Sequence, residues 1–130
     1  MIFVDTNYFL RFLLQDNEKH FIQANRLLAE GTQGKLKLFT STVVFFEVHW
    51  VLRSYYEKNR TQIFETLREI LDLEFIQIED RSILQSALEM FSKKALSLED
   101  CYNLAFAKDK KAVDFKTFDI KLYKVFKEKY

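Results

Sequence analysis

Short apolar runs alternate along the chain with longer segments whose apolar residues recur every three or four positions. Ile2-Phe3-Val4 suits a buried strand, and it stops at Asp5-Thr6-Asn7, three residue types that favour helix caps. Tyr8 to Leu14 reads as a short helix, after which Asp16-Asn17 breaks and re-caps the chain. From Glu18 to Glu30 the apolar positions Phe21, Ala24, Leu27 and Leu28 keep a helical period, and Gly31 and Gly34 are expected to close it. Leu36 to Phe39 reads as a second strand. Ser41 or Thr42 caps a helix running to about Tyr56. Thr61 opens another, with Ile63, Phe64, Leu67, Ile70 and Leu71 on one side. Phe75 to Ile78 is a third strand, and an amphipathic helix follows from about Asp80 to Ala95. Ser97-Leu98-Glu99-Asp100 has the form of a capping box, opening a helix to about Lys110. Ala112 to Lys116 reads as a fourth strand, and Ile120 to Phe126 as a final short helix or a helix leading into an edge strand.

Strands alternating with helices predict an α/β sandwich around a mostly parallel sheet, with residues 1–130 as a single domain. Ligands of such sheets bind outside the carboxyl ends of the strands. Asp5 and Asp119 both fall just past an expected strand end.

Composition narrows the function. A chain of 130 residues, 48% hydrophobic, with 14 Phe and 6 Tyr, can fill a core. Two Gly and no Pro exclude Gly-rich phosphate loops and dinucleotide fingerprints. Cys101 is the one cysteine, so no internal disulfide forms, and Met1-Ile2-Phe3-Val4 shows neither a signal peptide nor a membrane span. A reducing, cytoplasmic setting with no membrane is expected. Net charge is +1, but residues 93–130 carry ten Lys/Arg against six Asp/Glu. Such a face can steer a polyanion, although from charge alone a solvated lysine surface is the simpler explanation.

The candidate chemistry lies in four acids. Glu47 interrupts a strongly apolar helix, where Val43, Val44, Trp50 and Val51 are its neighbours one turn away. An ionised carboxylate ringed by such groups costs several kcal/mol, roughly, unless it is compensated. Taken singly, Asp5 and Asp119 also read as helix caps, Asp100 as the acid of its capping box, and Glu47 as a side chain reaching solvent. Taken together, four carboxylates repel unless a cation neutralises them, and oxygen-only ligands select hard ions such as Mg²⁺ or Mn²⁺. One Cys and the distant His20 and His49 disfavour zinc, and His49 reads as structural. A Mg²⁺ ion on few carboxylates keeps several waters, and can acidify one and stabilise charge on a phosphodiester. Thr6, Asn7 and Thr117 stand where they can orient ligands or phosphate oxygens, or simply cap and turn the chain.

Val4-Asp5-Thr6-Asn7, Glu47 in its helix, Leu98-Glu99-Asp100 before Leu104-Ala105-Phe106-Ala107, and Lys116-Thr117-Phe118-Asp119 together resemble the PIN-domain family over the whole chain. Their order and spacing are similar to the small VapC-type toxins of toxin–antitoxin pairs. The resemblance implies a PIN-like three-layer sandwich, a central mostly parallel sheet flanked by helices. It also implies Mg²⁺-dependent endoribonuclease activity, with Mn²⁺ able to substitute, on an RNA substrate. Asp5, Glu47, Asp100 and Asp119 match the family's acidic, metal-holding positions, and Thr6, Asn7 and Thr117 its accompanying polar ones. A homodimer and a cognate antitoxin that blocks the site are implied as well. Arg11 matches a basic position that contacts a partner, RNA or the site's acids. Two positions depart from the pattern: Lys121 stands where some relatives carry a further acid, and the neutral Asn103 shares a helix face with Asp100. They leave open a non-catalytic PIN module that binds RNA or a protein partner. An aspartyl-phosphate enzyme using Asp5 is disfavoured, because Asn7 stands where phosphatases of that kind need a second aspartate.

Overall fold

In the computed structural model, which describes residues 1–128, the chain divides into two compact units, Met1–Arg81 and Ser82–Tyr130. The first unit holds three parallel strands, β1 (Ile2–Phe3), β2 (Leu38–Thr40) and β3 (Ile76–Ile78), hydrogen-bonded in that order. Helices α1 (Thr6–Leu14) and α2 (Glu18–Thr32) lead from β1 to β2, and α3 (Thr42–Ser54) and α4 (Arg60–Leu71) from β2 to β3. The fold class is α/β, as the alternation of apolar runs and helical periods predicts.

Register gives the sheet two unlike faces. Ile2 pairs with Leu38 and Leu38 with Ile76, while Phe3, Phe39 and Gln77 form the next row. Successive side chains point to opposite faces of a strand. Leu38, Thr40, Ile76 and Ile78 are accordingly buried, and the Phe3 and Gln77 side chains are exposed. α1 packs on both α2 and α3, and α3 on α4. Each fully buried Leu in these helices, such as Leu52 and Leu67, contributes roughly 1.5–3 kcal/mol. The end of α4 is fastened by Arg81, whose guanidinium donates to the carbonyls of Leu71, Leu73 and Ile76. These are backbone acceptors that a helix end and a strand start would otherwise leave open.

Gly31 does not close α2, which runs on to Thr32. Its role is close packing: a Cβ at this position would lie 2.6 Å from Leu38 Cδ1 and 3.1 Å from a Phe75 ring carbon. The left-handed turn comes at Gly34, with φ of +76°.

The second unit contains helix α5 (Arg81–Lys93) from Ser82 onward, α6 (Leu98–Asp109) and α7 (Ile120–Lys127). α5 buries Ile83, Leu84, Ala87, Leu88 and Phe91, a spacing that keeps one stripe of the helix inward. α7 is anchored by Lys94 Nζ, 3.0 Å from Glu128 Oε2, and by Lys121 Nζ, which donates to the Ala95 carbonyl at 3.2 Å.

The expected strand Ala112–Lys116 is irregular instead. Lys111 turns with φ of +58° as α6 ends. The Phe115 N–H, which a strand ladder would use, donates to Asp114 Oδ1 at 2.9 Å. A short acidic side chain is here competing with the sheet for a backbone donor. Among the described residues no helix is long and apolar enough to cross a membrane.

Candidate functional site

The carboxyl end of β1 delivers Asp5 to the start of α1. Thr40 Oγ1 donates to the Val4 carbonyl at 2.7 Å, which fixes the strand end against β2. Asp5 is then the exposed N-cap of α1, its Oδ1 accepting from the Thr6 N–H at 2.8 Å. Asn7 is exposed beside it. Thr6 is 3% exposed, and its Oγ1 has no hydrogen-bond partner among the described residues. A buried hydroxyl left unpaired costs about 1–3 kcal/mol, a cost removed when a bound water or ligand supplies the partner.

The third strand ends in the same way. Continuing the register places Glu79 after Ile78 as Ser41 follows Thr40, and the Glu79 N–H donates to the Thr40 carbonyl at 3.2 Å. Glu79 Oε1 accepts from the Thr42 N–H at 3.0 Å, while Ser41 Oγ accepts from the Val44 N–H at 3.2 Å. The α3 N-terminus therefore holds a carboxylate where the helix dipole favours negative charge. Sequence reasoning passed over Glu79, although an acid directly after an apolar strand is the same signal that marks Asp5.

Glu47 requires a correction. It is exposed, because the buried face of α3 is Val44, Phe45, Val48, His49 and Leu52. Val43, Glu47 and Trp50, spaced four and three residues apart, form the opposite stripe, and Val43 and Trp50 are 71% and 57% exposed. Of the four apolar neighbours that were expected to bury Glu47, Val43 and Trp50 are themselves in water, Val51 is half-buried and Val44 turns into the core, so the carboxylate is not enclosed. His49 is buried, in keeping with a structural role.

In the second unit Asp100 is half-buried in the first turn of α6, its N–H donating to Ser97 Oγ at 3.1 Å. Asn103 is exposed on the same helix. Asp119 is the exposed N-cap of α7, with Oδ1 accepting from the Leu122 N–H at 3.0 Å. Thr117 Oγ1 accepts from the Asp119 N–H at 3.0 Å, so the threonine sets the backbone that presents the aspartate. Nearby, Lys116 Nζ lies 2.8 Å from Asp114 Oδ2, and the Tyr123 hydroxyl donates to Asp114 Oδ1 at 3.0 Å. Lys116, with the Phe115 N–H and Tyr123, holds the Asp114 carboxyl down at about 2.

Arg11 has a local task. Its Nη1 lies 3.0 Å from Asp16 Oδ1 and donates to the Tyr56 hydroxyl oxygen at 3.1 Å. This joins the end of α1 to the residues after α3.

Among the described residues no three side chains of His, Cys, Asp or Glu are gathered to hold a metal ion. Asp5 and Glu47 belong to the first unit, Asp100 and Asp119 to the second. What each unit offers is exposed or half-exposed carboxylate oxygen, with the unpaired Thr6 hydroxyl beside Asp5. That donor set fits a hard, hydrated divalent ion and not a soft one.

Comparison with known proteins bears on the whole chain. A family model described as PIN domain matches residues 2–128. The chain is also 29% identical over 108 residues to a VapC ribonuclease of Aquifex aeolicus (strain VF5), covering 83% of this chain and 79% of the relative.

Proposed function

The chain belongs to the PIN domain family, and on that footing we propose that it is a Mg²⁺-dependent endoribonuclease, the toxin of a type II toxin–antitoxin module. The observation that carries the reading is Asp5 at a strand's carboxyl end, next to a buried threonine hydroxyl with no partner. The VapC ribonuclease relative supports the activity and the RNA substrate.

Asp5, Glu47, Asp100 and Asp119 would be the oxygen ligands and catalytic carboxylates. Mg²⁺, for which Mn²⁺ substitutes, supplies neutralisation of these acids, acidification of a water and stabilisation of phosphate charge when bound. An ion of this kind needs only one or two carboxylates alongside water and substrate phosphate. The Thr6 hydroxyl orients a ligand or water beside Asp5, and Thr117 holds Asp119 in its presenting conformation. Asn7 and Asn103 donate from exposed amides to phosphate oxygens. A water oxygen attacks phosphorus in line, the P–O3′ bond breaks, and a proton goes to the leaving oxygen. The products are a 5′-phosphate and a 3′-hydroxyl. Lysines of the second unit attract the RNA backbone. Arg11 acts by bracing α1 through Asp16 and Tyr56, and its contact with RNA or a partner is secondary. The protein works in the cytoplasm as a homodimer, and a cognate antitoxin holds it inactive.

The test compares purified parent and Asp5→Asn on single-stranded RNA in Mg²⁺. Loss of cleavage by at least about a hundredfold is expected, and equal rates would refute the mechanism. A second reading, a non-catalytic PIN module binding RNA or a protein partner, is favoured by one observation: no three metal-binding side chains are gathered among the described residues. Under that reading the parent itself leaves RNA intact.

A further inference from the structure

We propose that the ring of Phe118 is a stacking platform for an unpaired base of the RNA, next to the phosphate at Asp119; the inference rests on the endoribonuclease reading above. Phe118 is 107% exposed, so its ring packs on nothing. Burying a Phe side chain is among the larger hydrophobic gains available to a chain. Phe3, Tyr8, Trp50, Tyr55 and Phe106 are also exposed, at 38–77%, and the Phe118 ring is the most exposed of them.

The ring is exposed by a fixed backbone and not by a frayed one. The Asp119 N–H donates to Thr117 Oγ1 at 3.0 Å on one side of it, and Asp119 Oδ1 accepts from the Leu122 N–H at 3.0 Å on the other. The Tyr123 N–H continues the helix with a 3.0 Å bond to the Asp119 carbonyl. α7, which follows, is held at both ends by Lys121 on Ala95 and Glu128 on Lys94. The backbone that carries the ring is thus ordered before it binds, so the entropy lost when a flat partner lands on it is confined to the side chain's own rotamers.

Charge and polarity identify the partner. Lys116, paired with Asp114, and Lys121, bonded to the Ala95 carbonyl, flank the ring in sequence, and both are exposed. The stretch from residue 93 onward carries an excess of four positive charges. A protein partner would bury several apolar side chains together, because specific interfaces need roughly 800 Å² per side. Within three residues of Phe118 the chain neighbours are Lys116, Thr117, Asp119 and Lys121 with two apolar residues, the exposed Ile120 and the half-buried Phe115. A single aromatic face among cations matches the way single strands are held, one base on a ring and the backbone on lysines. Because Asp119 is the adjacent residue, the stacked base lies near the scissile phosphate, and the ring positions substrate without touching the reacting atoms.

The test measures binding of a fluorescent single-stranded RNA of mixed sequence without divalent ions, so that nothing is cut. Parent, Phe118→Ala and Phe118→Tyr are compared, together with Phe118→Trp in a Trp50→Phe background. Phe118→Ala is expected to bind about 5- to 150-fold more weakly, the range for losing one stacked base. Phe118→Tyr should stay within about twofold of the parent, and the tryptophan emission of the double variant should be quenched as RNA saturates. The tyrosine and tryptophan arms decide the matter should the alanine variant fold poorly. Affinity unchanged in Phe118→Ala, or emission unmoved by RNA, overturns the proposal while leaving RNA cleavage by the parent intact. Loss of a protein partner's binding with RNA binding unchanged overturns it too, in favour of a protein-docking role. A parent that neither binds nor cuts RNA overturns this inference and the proposed activity together.

Discussion

The Tyr56 hydroxyl donates to Asp16 Oδ2 at 2.7 Å, and Arg11 lies against both groups. The hydrogen bond from Tyr56, reinforced by Arg11, holds the Asp16 carboxyl below its ordinary range. Burial, with the Asp16 charge adding to it, raises Tyr56. Tyr56→Phe should cost about 1 kcal/mol at neutral pH, the net worth of one such bond in a partly exposed setting. The sign of its pH dependence follows from the depressed carboxyl. Stability from Asp16 is present above its unfolded value of about 3.9 and is lost as pH falls through the lower folded value. Urea denaturation at pH 7 and below pH 3 checks this. The gap between parent and variant should close in acid, and a gap unchanged by pH would contradict the linkage.

Asp114 gives a second, sharper titration. Its carboxyl sits at about 2, lowered first by Lys116 and then by the Phe115 N–H and Tyr123. Its contribution to stability is therefore complete above the ordinary aspartate value of 3.8 and disappears as pH falls through about 2. Carboxyl NMR should find a midpoint near 2 in the parent and a higher one, toward 3.8, in Lys116→Ala. Because the pair is exposed, high salt should shrink the difference. A parent midpoint near 3.8 would show that the ion pair has no electrostatic effect.

Gly31→Ala tests the packing of α2 on β2 and the residue before β3. Alanine favours a helix by about 1 kcal/mol over glycine. The new methyl would lie 2.6 Å from Leu38 Cδ1 and 3.1 Å from Phe75, and Leu38 is buried with little room to move. Overpacking costs about 1–3 kcal/mol, so the net expectation is a loss of about 1 kcal/mol. Thermal or urea unfolding measures it, and a gain in stability would mean the contact relaxes freely.

Thr6→Val separates function from stability. The buried Oγ1 makes no hydrogen bond within the described residues, so a methyl of the same shape should leave stability unchanged or raise it by about 1 kcal/mol. If the hydroxyl orients a ligand of the cation, Mn²⁺ affinity and RNA cleavage should fall roughly 10- to 100-fold. A stability loss with activity intact would assign the hydroxyl to the fold alone.

Much of this architecture is legible in residue order, and what is not has identifiable causes. Helix periods, the capping serines at Ser41 and Ser97 and three strands follow from pattern, since apolar spacing and cap chemistry are local. Glu47 shows where pattern fails: hydrophobicity along α3 does not report which side faces inward, and Val43 and Trp50 lie with Glu47 in water. The strand expected at residues 112–116 fails because Asp114 captures the Phe115 N–H, a competition invisible to propensity. Gly31 reads as a helix stop but serves a contact with residues distant in sequence, Leu38 and Phe75. The acids themselves are legible as residues. Their local cap roles, Asp5 on α1 and Asp119 on α7, are shown by hydrogen bonds.

The central proposal is that Asp5, Glu47, Asp100 and Asp119 are carboxylate ligands for hard divalent ions. Calorimetric titration of Mn²⁺ into the parent and into Asp5→Asn, Glu47→Gln, Asp100→Asn and Asp119→Asn tests it most directly. The account predicts saturable binding to the parent and an affinity reduced at least about tenfold in every variant. Absence of Mn²⁺ binding to the parent at millimolar concentration, or parental affinity in Glu47→Gln, would contradict it.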